Sequence, residues 1–282
     1  MSNPSSQVAL LSALVLGVNA LLVAVPADAV TATVWGQEWQ TNSDATVIDS
    51  SHIVLTPNAQ DKVGSAWVTT SLAVTDSSAF SASFEFRISG SDDVWGSGDG
   101  MAFVIHGNDA NAIGTGGGDL GYGGTGIASG TDNLLAVEFD TWNCCGDPTA
   151  PHVAIHLDGE DVWSGGQSAS ASSPYSLVRG GAESNLFAWV DFNPGNTTLS
   201  VFLSDSNVKP GTALVSFIVG SGLATFIGDN IRFGFTAGTG SASSLHEVFD
   251  FSTTPVPLPA AAWLLLSGLA GLGFVGRRRT TA

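Results

Sequence analysis

Between residues 30 and 254 the chain breaks repeatedly into runs of six to nine residues that are either alternating or continuously apolar: AWVTTSLAV, FSASFEFRI, GMAFVIHG, LLAVEFDTW, HVAIHLDG, NLFAWVDF, TTLSVFL, LVSFIV and IRFGFTAG. Most are bounded by Gly, Asp, Asn, Ser or Pro. Runs of this length and period read as β-strands, and no stretch between the two ends sustains a helical period. Charged residues make up only 12% while glycine reaches 35, which suits tight turns rather than long helices. Phe187–Phe192, the turn Asn193-Pro194-Gly195-Asn196 and Thr198–Leu203 form a hairpin signal. Many short strands without intervening helices predict an all-β fold, an antiparallel β-sandwich or jelly roll, and about 225 residues suit one such domain.

The two ends are different material. Residues 8–25 are an apolar run followed by Pro26-Ala27-Asp28-Ala29, an A-x-A arrangement that reads as a secretory signal spanning 1–29, although no Lys or Arg precedes the run. Pro255-Val256-Pro257-Leu258-Pro259 ends regular structure, and an apolar stretch then runs to Arg277-Arg278-Arg279. Residues 258–276 read as a membrane segment, with the arginines cytoplasmic and the domain outside. This order resembles the PEP-CTERM sorting signals of Gram-negative bacteria in their VPLPAA form, over residues 255–282. The resemblance implies processing by an exosortase-type protease, transient inner-membrane anchoring, and delivery to the cell envelope, cell surface or extracellular exopolysaccharide matrix; a plain C-terminal anchor is the alternative. Residues 30–254 carry 24 acidic against 5 basic side chains, a balance that repels phosphate backbones and excludes nucleic acid as a partner.

The most informative stretch is Leu134–His156, LLAVEFDTWNCCGDPTAPHVAIH. On a strand Glu138, Asp140 and Trp142 point one way and Val137, Phe139 and Thr141 the other. Two carboxylates side by side need a cation or a shared proton. Asn143, Asp147 and His152 add an amide oxygen, a third carboxylate and an imidazole. Oxygen donors of this kind suit Ca²⁺, and carboxylates with one His suit a transition ion such as Mn²⁺. An acidic turn, with His152 merely capping the next strand, is the alternative.

VEFDTWN, then Asp147-Pro148, then Pro151-His152 before an apolar strand resembles the metal loop of L-type lectins of the legume, concanavalin type. The resemblance covers roughly Gly64–Ser252 and implies a concanavalin-like β-sandwich. It implies transition-metal ligands at Glu138, Asp140, Asp147 and His152. The Ca²⁺ ligands it implies are Asp140, Asp147, the Asn143 side chain and the Trp142 carbonyl. Cys144 and Cys145, the only cysteines, lie inside this loop. Adjacent cysteines can pair only in a vicinal ring, which is the preferred reading in an exported chain, with free thiols or an intermolecular bond as alternatives.

Gly98-Asp99-Gly100-Met101-Ala102-Phe103 resembles the family strand whose Asp accepts hydrogen bonds from two sugar hydroxyls, and implies a cis peptide at Gly98–Asp99. A carboxylate is suited to this, since it offers several lone pairs in charge-assisted bonds. Gly117-Gly118-Asp119-Leu120-Gly121 resembles the family's glycine loop, where backbone N–H groups approach the sugar. Ile231–Gly238, a specificity loop near Gly240, Ser241 and Ser244, and Phe249–Phe251 resemble the last core strand, its loop and the closing strand. The implied carbohydrate site is therefore Asp99, Gly117, Gly118, Asn143, Gly240 and Ser241. Trp142 and Tyr122 are candidates for an aromatic platform, each with a place in the core as its alternative. Glycoside hydrolases of the same fold carry E-x-D-x-x-E, and the second Glu is here Asn143, so the acid and nucleophile pair is absent and no enzyme is expected. A matrix protein that keeps the fold without binding sugar is the other reading.

Overall fold

Phe80–Ser89 alternates buried and half-buried residues along its whole length, as a strand must when one face lies on a core and the other on water. The computed structural model describes residues 30–124, 127, 133–143, 148–157, 166–180, 183 and 185–254. Among them are sixteen strands: β1 (Val30–Val34), β2 (Gln37–Ser43), β3 (Thr46–Asp49), β4 (His52–Thr56), β5 (Val63–Val68), β6 (Leu72–Ala73), β7 (Phe80–Ser89), β8 (Gly100–His106), β9 (Leu134–Asp140), β10 (His152–Leu157), β11 (Ala169–Ser172), β12 (Leu186–Asn193), β13 (Thr198–Ser204), β14 (Val215–Ile218), β15 (Asn230–Gly238) and β16 (Leu245–Thr253). A single helical turn, α1, spans Leu223–Phe226, and a 3₁₀ turn covers Gly117–Asp119.

The strands form two sheets. One runs β1-β2-β5-β15-β8-β9-β10-β11, with β6 paired to the start of β15, and the other runs β14-β13-β12-β7-β16-β4-β3. Their facing sides share one apolar core. Phe84 of β7 lies 5.3 Å from Phe103 of β8 and 5.0 Å from Phe235 of β15, centroid to centroid, and Phe86 lies 4.5 Å from Phe139 of β9. Each such ring contributes about 1.5–3 kcal/mol of burial. This is the expected all-β sandwich, and the expected hairpin forms with Asn193 opposite Thr198. In its turn the positive φ belongs to Thr197 (51°) rather than to Gly195.

A second, smaller core lies on the outer side of the first sheet. Ala110, Leu120, Tyr122 and Ile127 of the long β8–β9 connection pack on Trp67, Ala102, Val104, Leu134 and Ala136. Buried bonds anchor this cover: Trp67 Nε1 and Ser65 Oγ donate to the Ala112 carbonyl at 2.6 and 2.9 Å, and Asn42 Nδ2 to that of Ala110 at 2.9 Å. Strands β8, β9 and β10 are therefore buried on both faces. That is why their sequences are mostly apolar on both faces, with the buried Glu138, Asp140, His152 and His156 among the exceptions.

Several sequence-based expectations need correction. Ala66–Val74 is not one strand: β5 ends at Val68, where the Thr69 N–H turns to the Glu38 carbonyl (2.9 Å) and the Arg232 guanidinium takes the carbonyls of Val68 and Thr69. The run through Trp142 stops at Asp140, whose Oδ1 accepts the Trp142 N–H at 2.6 Å and so turns the chain out of the ladder. Trp142 thus does not continue the Glu138–Asp140 face as a strand residue. Strands β1 to β4 precede the span that the lectin resemblance covered. Among the described residues no helix is long and apolar enough to cross a membrane; the expected leader, 1–29, and tail, 255–282, lie outside them.

Candidate functional site

Sheet register assembles the site. Asp140, at the end of β9, pairs with Gly100 at the start of β8 and with His152 at the start of β10; Glu138, two residues back, pairs with Ala102 and Ala154. Glu138, Asp140 and His152 therefore share the outer face of the first sheet, beneath the cover. All three are buried, and one ligand atom from each lies within 4.8 Å of the others. His152 Nε2 is 3.2 Å from Glu138 Oε1, His156 Nε2 is 2.9 Å from the same oxygen, and the Tyr122 hydroxyl donates to Oε2 at 2.9 Å. Burial alone would raise the pKa of Glu138, but the charges and hydrogen bonds of His156 and His152 take it down to about 2. Burial and the Glu138 charge together push the Tyr122 phenol well above its ordinary range, so it stays a donor.

Two carboxylates and an imidazole converging out of water form a donor set for a divalent cation, and the mixture of oxygen and nitrogen suits a transition ion. The expected all-oxygen set is only partly visible. Asn143 is exposed. Asp147, Cys144 and Cys145 lie outside the described residues.

One residue before Gly100, Asp99 follows a cis peptide bond with Gly98, as the resemblance implied. Both glycines are required by contact. A Cβ on Gly98 would sit 2.7 Å from the Ala242 Cβ, and one on Gly100 would sit 2.5 Å from the Phe139 carbonyl oxygen. Asp99 is held by its backbone, with its N–H on the Gly238 carbonyl (3.1 Å) and its own carbonyl accepting both the N–H and the hydroxyl of Thr141 (2.9 Å each). Its side chain is treated otherwise. Asp99 is 6% exposed, and Oδ2 has no hydrogen-bond partner among the described residues. Desolvation pushes its pKa up to about 6, opposed by a hydrogen bond from the Gly240 backbone.

Gly240 and Gly117 keep the space around that carboxylate clear. A Cβ on Gly240 would lie 3.2 Å from Asp99 Oδ2 and 3.5 Å from the Gly117 Cα. The two glycines, with Asp61, Lys62, Val63, Gly116 and Thr239, line a cavity of about 320 Å³. Gly118 sits beside Gly117 in the 3₁₀ turn. Ser241 is exposed at the rim, its carbonyl accepting Gln60 Nε2 at 2.6 Å. The structure thus brings Asp99, Gly117 and Gly240 together, with Gly118 and Ser241 at the edge.

Of the two aromatic candidates, the half-buried Trp142 packs against Gly98. Tyr122 is fully buried and engaged with Glu138, so it cannot be a platform for a sugar. Two contributors went unread in the sequence. His156 was signalled by its spacing, since residues four apart on a strand share a face with His152. Thr141 left no such signal, because its role depends on the register between β8 and β9.

A legume lectin domain model matches residues 35–260. Among curated proteins, the lectin of Pisum sativum is 27% identical over 208 residues, covering 71% of this chain and 72% of its own length. The L-type lectin-domain containing receptor kinase VIII.1 of Arabidopsis thaliana is 29% identical over 163 residues, 56% of this chain and 21% of the kinase. The chain spans between about a fifth and two fifths of the first curated relatives it matches. Basic winged bean lectin, solved with Tn-antigen, has 24% identity and a TM-score of 0.63, covering 82% of this chain and 99% of the lectin. The exoplasmic/lumenal domain of VIP36, solved with Ca²⁺ and Man3GlcNAc, has 17% identity and a TM-score of 0.58, covering 78% and 84%. At these identities the solved structures show a shared fold. No enzymatic family is indicated.

Proposed function

This chain belongs to the legume lectin domain family, and we propose that it is an exported lectin that binds carbohydrate at Asp99 with the help of bound cations. The observation that carries the reading is the buried Asp99 Oδ2, which lacks a hydrogen-bond partner among the described residues yet faces two glycines beside an open cavity. A buried carboxylate oxygen left unpaired is costly, and sugar hydroxyls are donors of the right size to satisfy it. Gly117, Gly118 and Gly240 let a pyranose ring approach, with Ser241 and Asn143 at the rim and Trp142 beside it. Structures of the same fold hold methyl-α-D-galactose, GalNAc and Man3GlcNAc, which supports carbohydrate as the ligand class.

Glu138, Asp140, Asp147 and His152 would hold a transition ion such as Mn²⁺. Asp140, Asp147, Asn143 and the Trp142 carbonyl would hold Ca²⁺. The cations would neutralise the carboxylates and fix the 141–147 loop against Asp99. Around this domain, residues 30–254, we place a secretory leader at 1–29 and a PEP-CTERM-like tail at 255–282. The tail would be cut by an exosortase-type protease and carry the protein to the surface or exopolysaccharide matrix of a Gram-negative cell.

Glycan-array binding of the purified protein, with and without chelator and beside Asp99→Ala, tests the site. Loss of binding in both arms is expected, and binding that survives both overturns the reading in favour of a matrix role. A mature mass ending near residue 258, in surface fractions, is expected from the tail; an intact tail in the inner membrane would favour a plain anchor.

A further inference from the structure

Glu138 is 3% exposed, and three side chains meet its two oxygens. Tyr122, fully buried, donates its hydroxyl to Oε2 at 2.9 Å. His152 Nε2 and His156 Nε2 both face Oε1, at 3.2 and 2.9 Å. The two histidines are not equivalent. His152 pairs with Asp140 across the β9–β10 ladder and shares the cation cluster with Glu138 and Asp140, whereas His156 lies four residues along the ladder, opposite Ala136, and is not part of that cluster. The Tyr122 and His156 rings are 5.9 Å apart, so the carboxylate is gripped between neighbours that touch each other.

We infer that Tyr122 and His156 are positioning residues for the cation site, holding one carboxylate oxygen of Glu138 each while His152 turns to the ion. This rests on the proposed cation site and deepens it. With a cation held by Glu138, Asp140 and His152, a ring nitrogen of His152 would serve the ion and its donation to Oε1 would be lost. Without other donors a buried carboxylate would then lose a partner, at a cost that opposes binding. The Tyr122 hydroxyl, hydrogen-bonded to Oε2, and His156 Nε2, in ion-pair contact with Oε1 at 2.9 Å, would keep both oxygens compensated through that exchange. They also fix the carboxylate plane. The imidazole nitrogen of His152 beside the two carboxylates favours a transition ion over Ca²⁺ at this position.

The test is Mn²⁺ titration of the chelator-stripped protein by calorimetry, with thermal unfolding measured before and after loading. Tyr122→Phe and His156→Ala are each expected to weaken Mn²⁺ binding by about 10- to 100-fold, the range typical of groups that orient metal ligands. His156→Gln, which keeps an N–H donor, is expected to recover part of that loss. A purely structural role would lower the Tm of stripped and loaded protein alike. The positioning role instead shrinks the rise in Tm that Mn²⁺ produces, because that rise follows affinity. Glu138→Gln separates the two layers. If Glu138→Gln abolishes Mn²⁺ binding while Tyr122→Phe and His156→Ala bind like the wild type, the clamp is overturned and the cation site stands. If Glu138→Gln binds Mn²⁺ unchanged, both are overturned.

Discussion

Strands β7 and β9 send alternate side chains into the same core, and they differ in the fate of the other half. On β7 the outward residues Ser81, Ser83, Glu85 and Arg87 stay in contact with water. On β9 the outward residues Leu134, Ala136, Glu138 and Asp140 lie beneath the β8–β9 connection. A polar residue facing water costs nothing to place, whereas carboxylates beneath a lid must be compensated by donors or a cation. Buried charge on a doubly covered strand therefore marks the working face of this molecule, and the opposite sheet supplies the frame.

The largest expected effect tests what the two strands share. Phe84→Ala, which removes a ring packed on Phe103, Phe139 and Phe235, is expected to cost about 3–5 kcal/mol in denaturant unfolding. Gly100→Ala comes next, because its methyl group would meet the Phe139 carbonyl oxygen at 2.5 Å. A loss of about 1–3 kcal/mol is expected, together with weaker glycan binding; a neutral result would show that the β8–β9 rung is more elastic than its geometry implies.

Acidity probes the buried face directly. The pKa of Asp99, raised to about 6 by burial, lies above the ordinary value. Its ionised form thus destabilises the fold at neutral pH, and that penalty fades as pH falls through about 6. Glycan binding, which needs the carboxylate, should run the opposite way, falling about tenfold per pH unit below 6. A flat binding profile from pH 7 to 4.5 would remove Asp99 from the site. At the small end, Ser83→Ala on the outward face of β7 touches only Ser252 Oγ, at the surface. It is expected to change stability by less than about 0.5 kcal/mol, and a larger loss would undo the contrast between the faces.

How much of this was legible follows the same division. The β7 run and the β12–β13 hairpin could be read because alternation and turn chemistry are local. Glu138, Asp140 and His152 could be singled out because one strand, one loop and one strand carry them. Strands β1 to β4 were missed: β1 to β3 mix Thr, Gln and acidic residues with scattered apolar ones and look like polar loop, and β4 is only five residues long. They gain strand character only by pairing, β2 with β5 and β3 with β4. Tyr122 was left between a sugar platform and the core because it sits in a glycine-rich stretch, and nothing local says that this stretch folds back over the sheet onto a carboxylate 16 residues away.

The rung joining Gly100, Asp140 and His152 puts the proposed sugar carboxylate and the proposed ion on one mechanical part, tightened by the grip of Thr141 on the Asp99 carbonyl. Two ligands so joined are linked reciprocally: the factor by which the ion strengthens sugar binding is the factor by which sugar strengthens ion retention. A molecule seated on a dense glycan layer would then surrender its metal more slowly than one adrift in the medium. Under ion scarcity, attachment would be self-sustaining where it already exists and hard to start elsewhere.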